Sequence, residues 1–295
     1  VFLDFKKDLS QLKAKSGIPV LYKQNTSNDL FQLIYVFDMG NNNDKALGTA
    51  FDYIDYLGTS DMTPEQVKSE FYRLACNFRV SPGNERTYVV LSGLNENMPE
   101  AMKLFEKLMA DAQVNKEAYT NMVADILKSR KDAKLNQMQN FRRLMNYGMY
   151  GPKSPATNIL TETELQTMDP QELTDRIHNQ NSYKHRIMYY GPTSEKELLA
   201  IINKNHQAPK KLKEIPVGNE FPRLETPVTK VLISPYEAKQ IYMTQLSNRG
   251  EKFDPMIEPS RQMYNEYFGG GMNSIVFQEM PWKDFINIFE HSFSI

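Results

Sequence analysis

Apolar and polar positions follow readable periods along most of the chain. β-Branched and aromatic residues crowd Ile18 to Lys23 and Leu30 to Asp38, with the turn-forming run Asn25-Thr26-Ser27-Asn28-Asp29 between them, which predicts a hairpin. After the polar stretch Gly40-Asn41-Asn42-Asn43-Asp44, apolar residues fall at helical intervals (Ala46, Leu47, Ala50, Ile54, Leu57) up to Gly58. Thr63-Pro64-Glu65-Gln66 offers an N-cap, a Pro at the first helical position and a Gln at N3. Val67, Phe71, Leu74, Ala75 and Phe78 extend it as one apolar stripe, so a second helix is expected there, carrying Cys76. Arg79 to Ser81 and Arg86 to Ser92 flank Pro82-Gly83-Asn84-Glu85, a turn between two strands.

Asn97-Met98-Pro99-Glu100 opens another helix, striped by Ala101, Leu104, Phe105, Leu108, Met109 and Ala112. Asn115 to Tyr147 contains neither Gly nor Pro and predicts one or two further helices, stopped by Gly148 and Gly151-Pro152. Asp169-Pro170-Gln171-Glu172 and Ser194-Glu195-Lys196-Glu197 read as two more helix starts, with the strand-like Arg186 to Tyr190 between them. The order ββ, αα, ββ, several α, β, α predicts an α+β fold, a largely antiparallel sheet covered by helices. Pro209, Pro216, Pro222 and Pro227, interspersed with lysines, mark a linker over 208–227. Val228 to Ser234 and Lys239 to Leu246 then begin a second ββ pair, followed by a helix to Phe268, the run Gly269-Gly270-Gly271 and a helix from about Asn273. The expected division is a first domain at 1–207, the linker, and at 228–295 a second, similar domain too short to be complete.

Composition narrows the function. The 295 residues favour two domains or one large one, and 40% hydrophobic residues supply real cores. Thirty-five Lys+Arg against 36 Asp+Glu leave a net charge of -1, which provides no field for a polyanion, so nucleic acid is not an expected partner. A single cysteine excludes an intramolecular disulfide and a Cys-rich zinc module. The most apolar run, Leu30 to Phe37, falls far short of the ~18 residues of a membrane span and is broken by Gln32. Val1 to Lys7 lacks an initiator Met, a basic leader and a long apolar stretch, so the chain is expected to be a piece of something longer, and its compartment is unknown.

Several pieces, in order, resemble the pitrilysin/insulinase family of zinc peptidases, the inverzincins. They are Gly17-Ile18-Pro19-Val20-Leu21, Asp38-Met39-Gly40 leading into Gly48-Thr49-Ala50, Leu57-Gly58-Thr59 and Asn146-Tyr147-Gly148-Met149-Tyr150-Gly151. Tyr190-Gly191 follows, and then Tyr267 to Glu279 with its Phe-Gly-Gly-Gly-Met-Asn-Ser core. The resemblance covers most of residues 10 to 280 and implies paired α+β domains, two halves of which close as a clamshell around a peptide chamber. Members that cleave peptides carry His-x-x-Glu-His on the first helix, where two imidazoles one turn apart bind zinc and the Glu activates its water. Here that helix reads Phe51-Asp52-Tyr53-Ile54-Asp55, with neither His nor the Glu. The resemblance also implies an Arg and a Tyr that contact substrate after Phe277-Gln278-Glu279, whereas this chain departs after Met280 into Pro281-Trp282-Lys283-Asp284-Phe285.

The remaining candidates have ordinary readings. Asp52 and Asp55 form an i, i+3 carboxylate pair without a third ligand, read as a solvated face. His178, His185, His206 and His291 stand in no ligand spacing and read as ordinary histidines. Gly269 to Ser274 lacks the Lys-Ser/Thr of a phosphate loop, and Asp38 to Asp44 lacks the Gly and Glu of a calcium loop. Cys76 has no catalytic context and reads as a packed thiol. Lys128, Arg130, Lys131, Lys134, Arg142 and Arg143 read as a solvated helix face, and Met98, Met102 and Met109 as core filling.

The expected function is therefore the noncatalytic half of a zinc metallopeptidase, completing the chamber for a His-x-x-Glu-His half upstream in the same polypeptide or on a separate chain. No catalytic, metal or substrate-binding residue is assigned in this chain, and zinc is expected in the catalytic half. The alternative is a stand-alone interaction or scaffold subunit derived from the peptidase fold. An independent hydrolase is disfavoured because no nucleophile, base or metal set appears.

Overall fold

The computed structural model describes Asp4 and residues 9–238, 241–250 and 252–279. These form two compact units. One joins the residues up to Asp125 with Ile159–Asn219, and the other joins Ile126–Asn158 with the described residues from Glu220 onward.

The first unit is built on a six-stranded sheet: β1 (Ser10–Lys13), β2 (Pro19–Gln24), β3 (Leu30–Phe37), β4 (Cys76–Pro82), β5 (Thr87–Leu94) and β6 (His185–Gly191), in the order β1-β2-β6-β3-β5-β4. Every neighbouring pair is antiparallel except β2 with β6. The predicted hairpin of β2 and β3 does not form. β6 lies between them, Val20 opposite Ile187 on one side and Tyr35 opposite Ile187 on the other. Asn25 explains the separation, because its backbone N–H donates to the Gly191 carbonyl and its side chain closes a local turn onto Asn28 and Leu30. The β4–β5 hairpin forms as expected, with Pro82 opposite Thr87 across the Pro-Gly turn.

Period-two burial in β3 sends Phe31, Leu33, Tyr35 and Phe37 to one face, and helices cover that face. α1 (Leu47–Tyr53, continued by a 3₁₀ turn to Tyr56), α2 (Pro64–Arg73) and α3 (Met98–Asp111) pack on the strands, and α6 (Glu162–Thr167), α7 (Gln171–Asn179) and α8 (Glu195–Asn205) complete the helices of the first unit; α4 (Lys116–Ala133) begins in the first unit and ends in the second, where α5 (Gln137–Tyr150) lies. α3 is central, packing on β4, β5, α7 and α8. Its methionines Met98, Met102 and Met109 are buried, the core-filling use expected of them. α2 starts on the predicted capping box, Thr63 and Gln66 bonding reciprocally, but ends at Arg73. Ala75 takes a left-handed φ of 47° and turns the chain into β4, so Phe78 and Cys76 belong to a strand and not to the helix predicted for them. The long Gly- and Pro-free stretch is two helices, α4 and α5; α5 passes through Gly148 and stops at Gly151, whose φ is 74°.

The chain beyond α8 stays on the first unit as far as Asn219. Lys213 exchanges backbone bonds with Ser182 and Lys184, the Pro216 carbonyl accepts from Asn43 Nδ2, and Asn219 N–H donates to Asn42.

In the second unit α9 (Glu258–Phe268) and α10 (Ile275–Glu279) form where helices were predicted. The second strand pair does not form among the described residues. Residues 228–238 and 241–246 lie in no strand, although Met243 forms an isolated β-bridge, and Val228, Val231, Ile233 and Ile241 are exposed. A lone two-stranded ribbon is marginal without a sheet or helix to cover it, which is the physical reason the pattern fails here. Lys239 and Gln240, and the atypical sequence after Met280, lie outside the described residues.

Candidate functional site

The sheet has a second face, opposite the helices. Across it the registers align Leu21 with Met188, Met188 with Ile34, and Ile34 with Val90. Tyr190 flanks this row on β6 and Tyr88 on β5, and Met188, Tyr88 and Tyr190 are 37%, 39% and 46% exposed. An antiparallel sheet facing water normally alternates apolar-in with polar-out, so four apolar side chains in register across the open side are an exception to that alternation.

The rim of this face is polar. Asp38, just beyond β3, accepts from Arg186 Nη1 (2.6 Å) and Arg86 Nε (2.8 Å), and Arg186 first, then Arg86, holds its carboxyl below the usual range. Tyr190 Oη donates to Asn25 Oδ1 at 3.3 Å. Such a surface can accept apolar side chains of an extended or unfolded chain and fix them at charged edges.

The five residues that the resemblance sets against the zinc motif, 51–55, lie on the end of α1 and its 3₁₀ continuation. Phe51, Tyr53 and Ile54 are buried, and the Tyr53 hydroxyl donates to the Asn115 carbonyl and accepts from its N–H. Asp52 and Asp55 reach solvent. Crowding at their bases, with the neighbouring Asp55 charge added for Asp52, raises both carboxyls above their ordinary values. Among the described residues, no group of three or more His, Cys, Asp and Glu side chains could hold a metal ion.

The polar loop 38–44 is a structural turn. Asn41 and Asn42 N–H donate to the Gly83 and Asn84 carbonyls, Asn43 Oδ1 accepts from Gly40, and Asp44 pairs with Arg176 at 2.8 Å. Gly269 terminates α9, and Ser274 leads into α10 with its hydroxyl accepting from Phe277 N–H. Cys76 is buried at the start of β4, and burial pushes its thiol up, away from nucleophilic use. The long helical stretch keeps Lys128, Lys131, Lys134, Arg142 and Arg143 exposed, as a solvated face should.

Of the four histidines, His178 on α7 lies 3.1 Å from the Ala112 carbonyl and His291 is outside the described residues. His185 and His206, read from the sequence as ordinary histidines in no ligand spacing, meet in the core with their Nε2 atoms 2.9 Å apart. His206 Nδ1 is 2.6 Å from Oε1 of Glu106, a fully buried acid on α3. The sequence does contain a signal for this site: Glu106 lies between Met102 and Met109 at helical spacing, a charge inside an apolar stripe.

No protein-family profile matches the sequence, and no curated protein matches it. Solved structures do match. The periplasmic protease PqqL from Escherichia coli superposes with a TM-score of 0.65 at 14% identity, over 75% of this chain and 25% of that one. A peptidase M16 inactive domain from Pseudomonas fluorescens gives 0.63 at 14% identity over 92% of this chain and 67% of that one, and a protease from Helicobacter pylori gives 0.63 at 10% over the same shares. The chain thus has the fold of M16 peptidases and of their inactive domains, the fold that the pitrilysin/insulinase resemblance implied, and it spans about a quarter of the length of PqqL.

Proposed function

We propose that this chain is the noncatalytic half of a two-half zinc peptidase of the M16 type, one wall of the chamber that closes around a peptide. The observation that carries this reading is the open sheet face. A row of apolar side chains, the exposed Met188 with the half-buried Leu21, Ile34 and Val90, lies in register on that face of a domain with the M16 fold. An α1 of buried apolar side chains and two solvated carboxylates fits a wall and not a hydrolytic centre. The zinc and its activated water belong to a His-x-x-Glu-His half, upstream in the same polypeptide or on a second chain. The peptide is held between them, because closure alone stabilises no transition state.

The test is reconstitution. Mixing the chain with its His-x-x-Glu-His half should give chelator-sensitive cleavage of an unfolded peptide, and Met188→Asp on the open face should raise KM several-fold with the fold intact by circular dichroism. Binding of the two halves without cleavage would favour the scaffold reading. Peptidase activity from this chain alone, surviving repurification and chelator, would sink both.

A further inference from the structure

The buried polar side chains behind the sheet form a continuous chain that the proposed chamber does not use. Glu106 accepts four hydrogen bonds: from Tyr35 Oη (3.0 Å) and His206 Nδ1 (2.6 Å) on Oε1, and from Asn181 Nδ2 (2.9 Å) and the Gln207 backbone N–H (3.1 Å) on Oε2. His206 Nε2 continues to His185 Nε2 at 2.9 Å, and His185 Nδ1 ends the chain on the Tyr183 carbonyl at 2.7 Å.

Proton counting fixes the charge of this chain. A carbonyl only accepts, so His185 Nδ1 carries a hydrogen, and a neutral His185 has a bare lone pair at Nε2. If Glu106 is ionised it also only accepts, so His206 Nδ1 carries a hydrogen. Two neutral imidazoles would then turn lone pairs on each other at 2.9 Å, and the contact is a hydrogen bond only with one proton between the Nε2 atoms. If instead Glu106 holds that proton, it donates to His206 Nδ1, and His206 Nε2–H donates to His185. The count is the same. Glu106, His206 and His185 together hold one proton more than a carboxylate and two neutral rings, which makes the trio neutral, as a core of this dryness demands.

The trio's central member, His206, lies where the chain leaves α8. His206 is the C-cap of α8, its backbone N–H on the Ile202 carbonyl, and the next N–H, of Gln207, donates to Glu106. We propose that the trio is a one-proton clamp: the single shared proton fastens the exit of α8 to the core, and uptake of a second proton releases His206, Gln207 and the start of the following segment.

The surroundings leave the trio to answer alone. β3 brings the Tyr35 phenol, pushed well above its usual range by burial and by Glu106, together with the Phe37 ring. The turn after α7 brings the neutral Asn181. Lys184 and Arg186, which flank His185 in sequence, pair with Glu214 and Asp38. A second proton would bring two N–H groups face to face at Nε2 and add a net positive charge, and burial first, then the charge of His206, holds His185 down to about 4. In an opened or unfolded chain the same ring titrates near 6.5, so that state binds more protons between about 6.5 and 4. The clamped state is therefore lost progressively as pH falls from about 6.5 towards 4, and it weakens above about 6.5 as well, where the opened chain gives up the proton that the clamp keeps.

The intact chain tests this directly. With ¹⁵N-labelled histidine, one proton should show through-hydrogen-bond coupling to Nε2 of both His185 and His206. Amide exchange at His206 and Gln207, corrected for the intrinsic rate, should rise by up to about tenfold per pH unit below 6.5. His185→Gln, whose amide oxygen accepts from His206 without titrating, should abolish that pH dependence. Two uncoupled neutral rings, a zinc ion bound between them in place of the proton, or exchange at Gln207 that ignores pH would each overturn the proposal.

Discussion

Gln180 is fully buried beside Asn181, yet neither of its amide atoms has a hydrogen-bond partner among the described residues. A buried amide without partners forfeits its hydration and gains nothing, so Gln180→Met, of similar shape, should raise stability by about 1 kcal/mol, read as a higher urea midpoint at unchanged m. Ala75 presents the reverse case, a side chain where the backbone wants none. Its φ of 47° closes α2, and Ala75→Gly should add roughly 0.5 to 1 kcal/mol by removing the left-handed penalty, offset in part by unfolded-state entropy. What could be read from sequence at this scale was the packing residues; Met98, Met102 and Met109 declare themselves by spacing. The His185–His206 contact could not be read, because the two rings come from a strand and from the far end of a helix, and no single element's period relates them.

The helix starts were the most legible elements, since a capping box is local chemistry written in four consecutive residues. Thr63 accepts from Gln66 N–H while the Gln66 side chain accepts from Thr63 N–H, and Thr63→Ala should lower stability by about 1 kcal/mol in thermal or denaturant unfolding. An equivalent box at Thr161 and Glu164 starts α6, which the sequence reading did not resolve because the helix is only six residues long and shows less than two turns of period. The strands were legible as strands but not in their pairing. A run of β-branched residues records that a segment extends; it does not record its neighbour, and a polar turn such as Asn25 to Asp29 leads equally well into a hairpin or around a third strand.

For the whole molecule, the α+β class and the helix-covered sheet followed from the order of elements, whereas the strand order needed a contact between residues far apart in sequence. The boundary after the first unit is set by hydrogen bonds and not by composition. Because Lys213, Pro216 and Asn219 are bonded onto that unit, limited proteolysis should cut first just beyond Asn219, and not within the proline- and lysine-rich residues 208–219. A fragment whose first nick falls near Lys210 would contradict this. The parallel seam of β2 on β6 has a further consequence, in time instead of space. β2 and β3 are both made early, but the strand that joins them begins only at His185, after all of α1 to α7. On a ribosome adding ~5–20 residues per second, the nascent chain waits on the order of ten seconds with the facing edges of both strands unpaired. During that interval Val20, Tyr22, Leu33 and Tyr35 lie open to other chains, so the yield of soluble protein should depend on what shields the nascent chain, rising when a chaperone is co-expressed even though the finished sheet needs none.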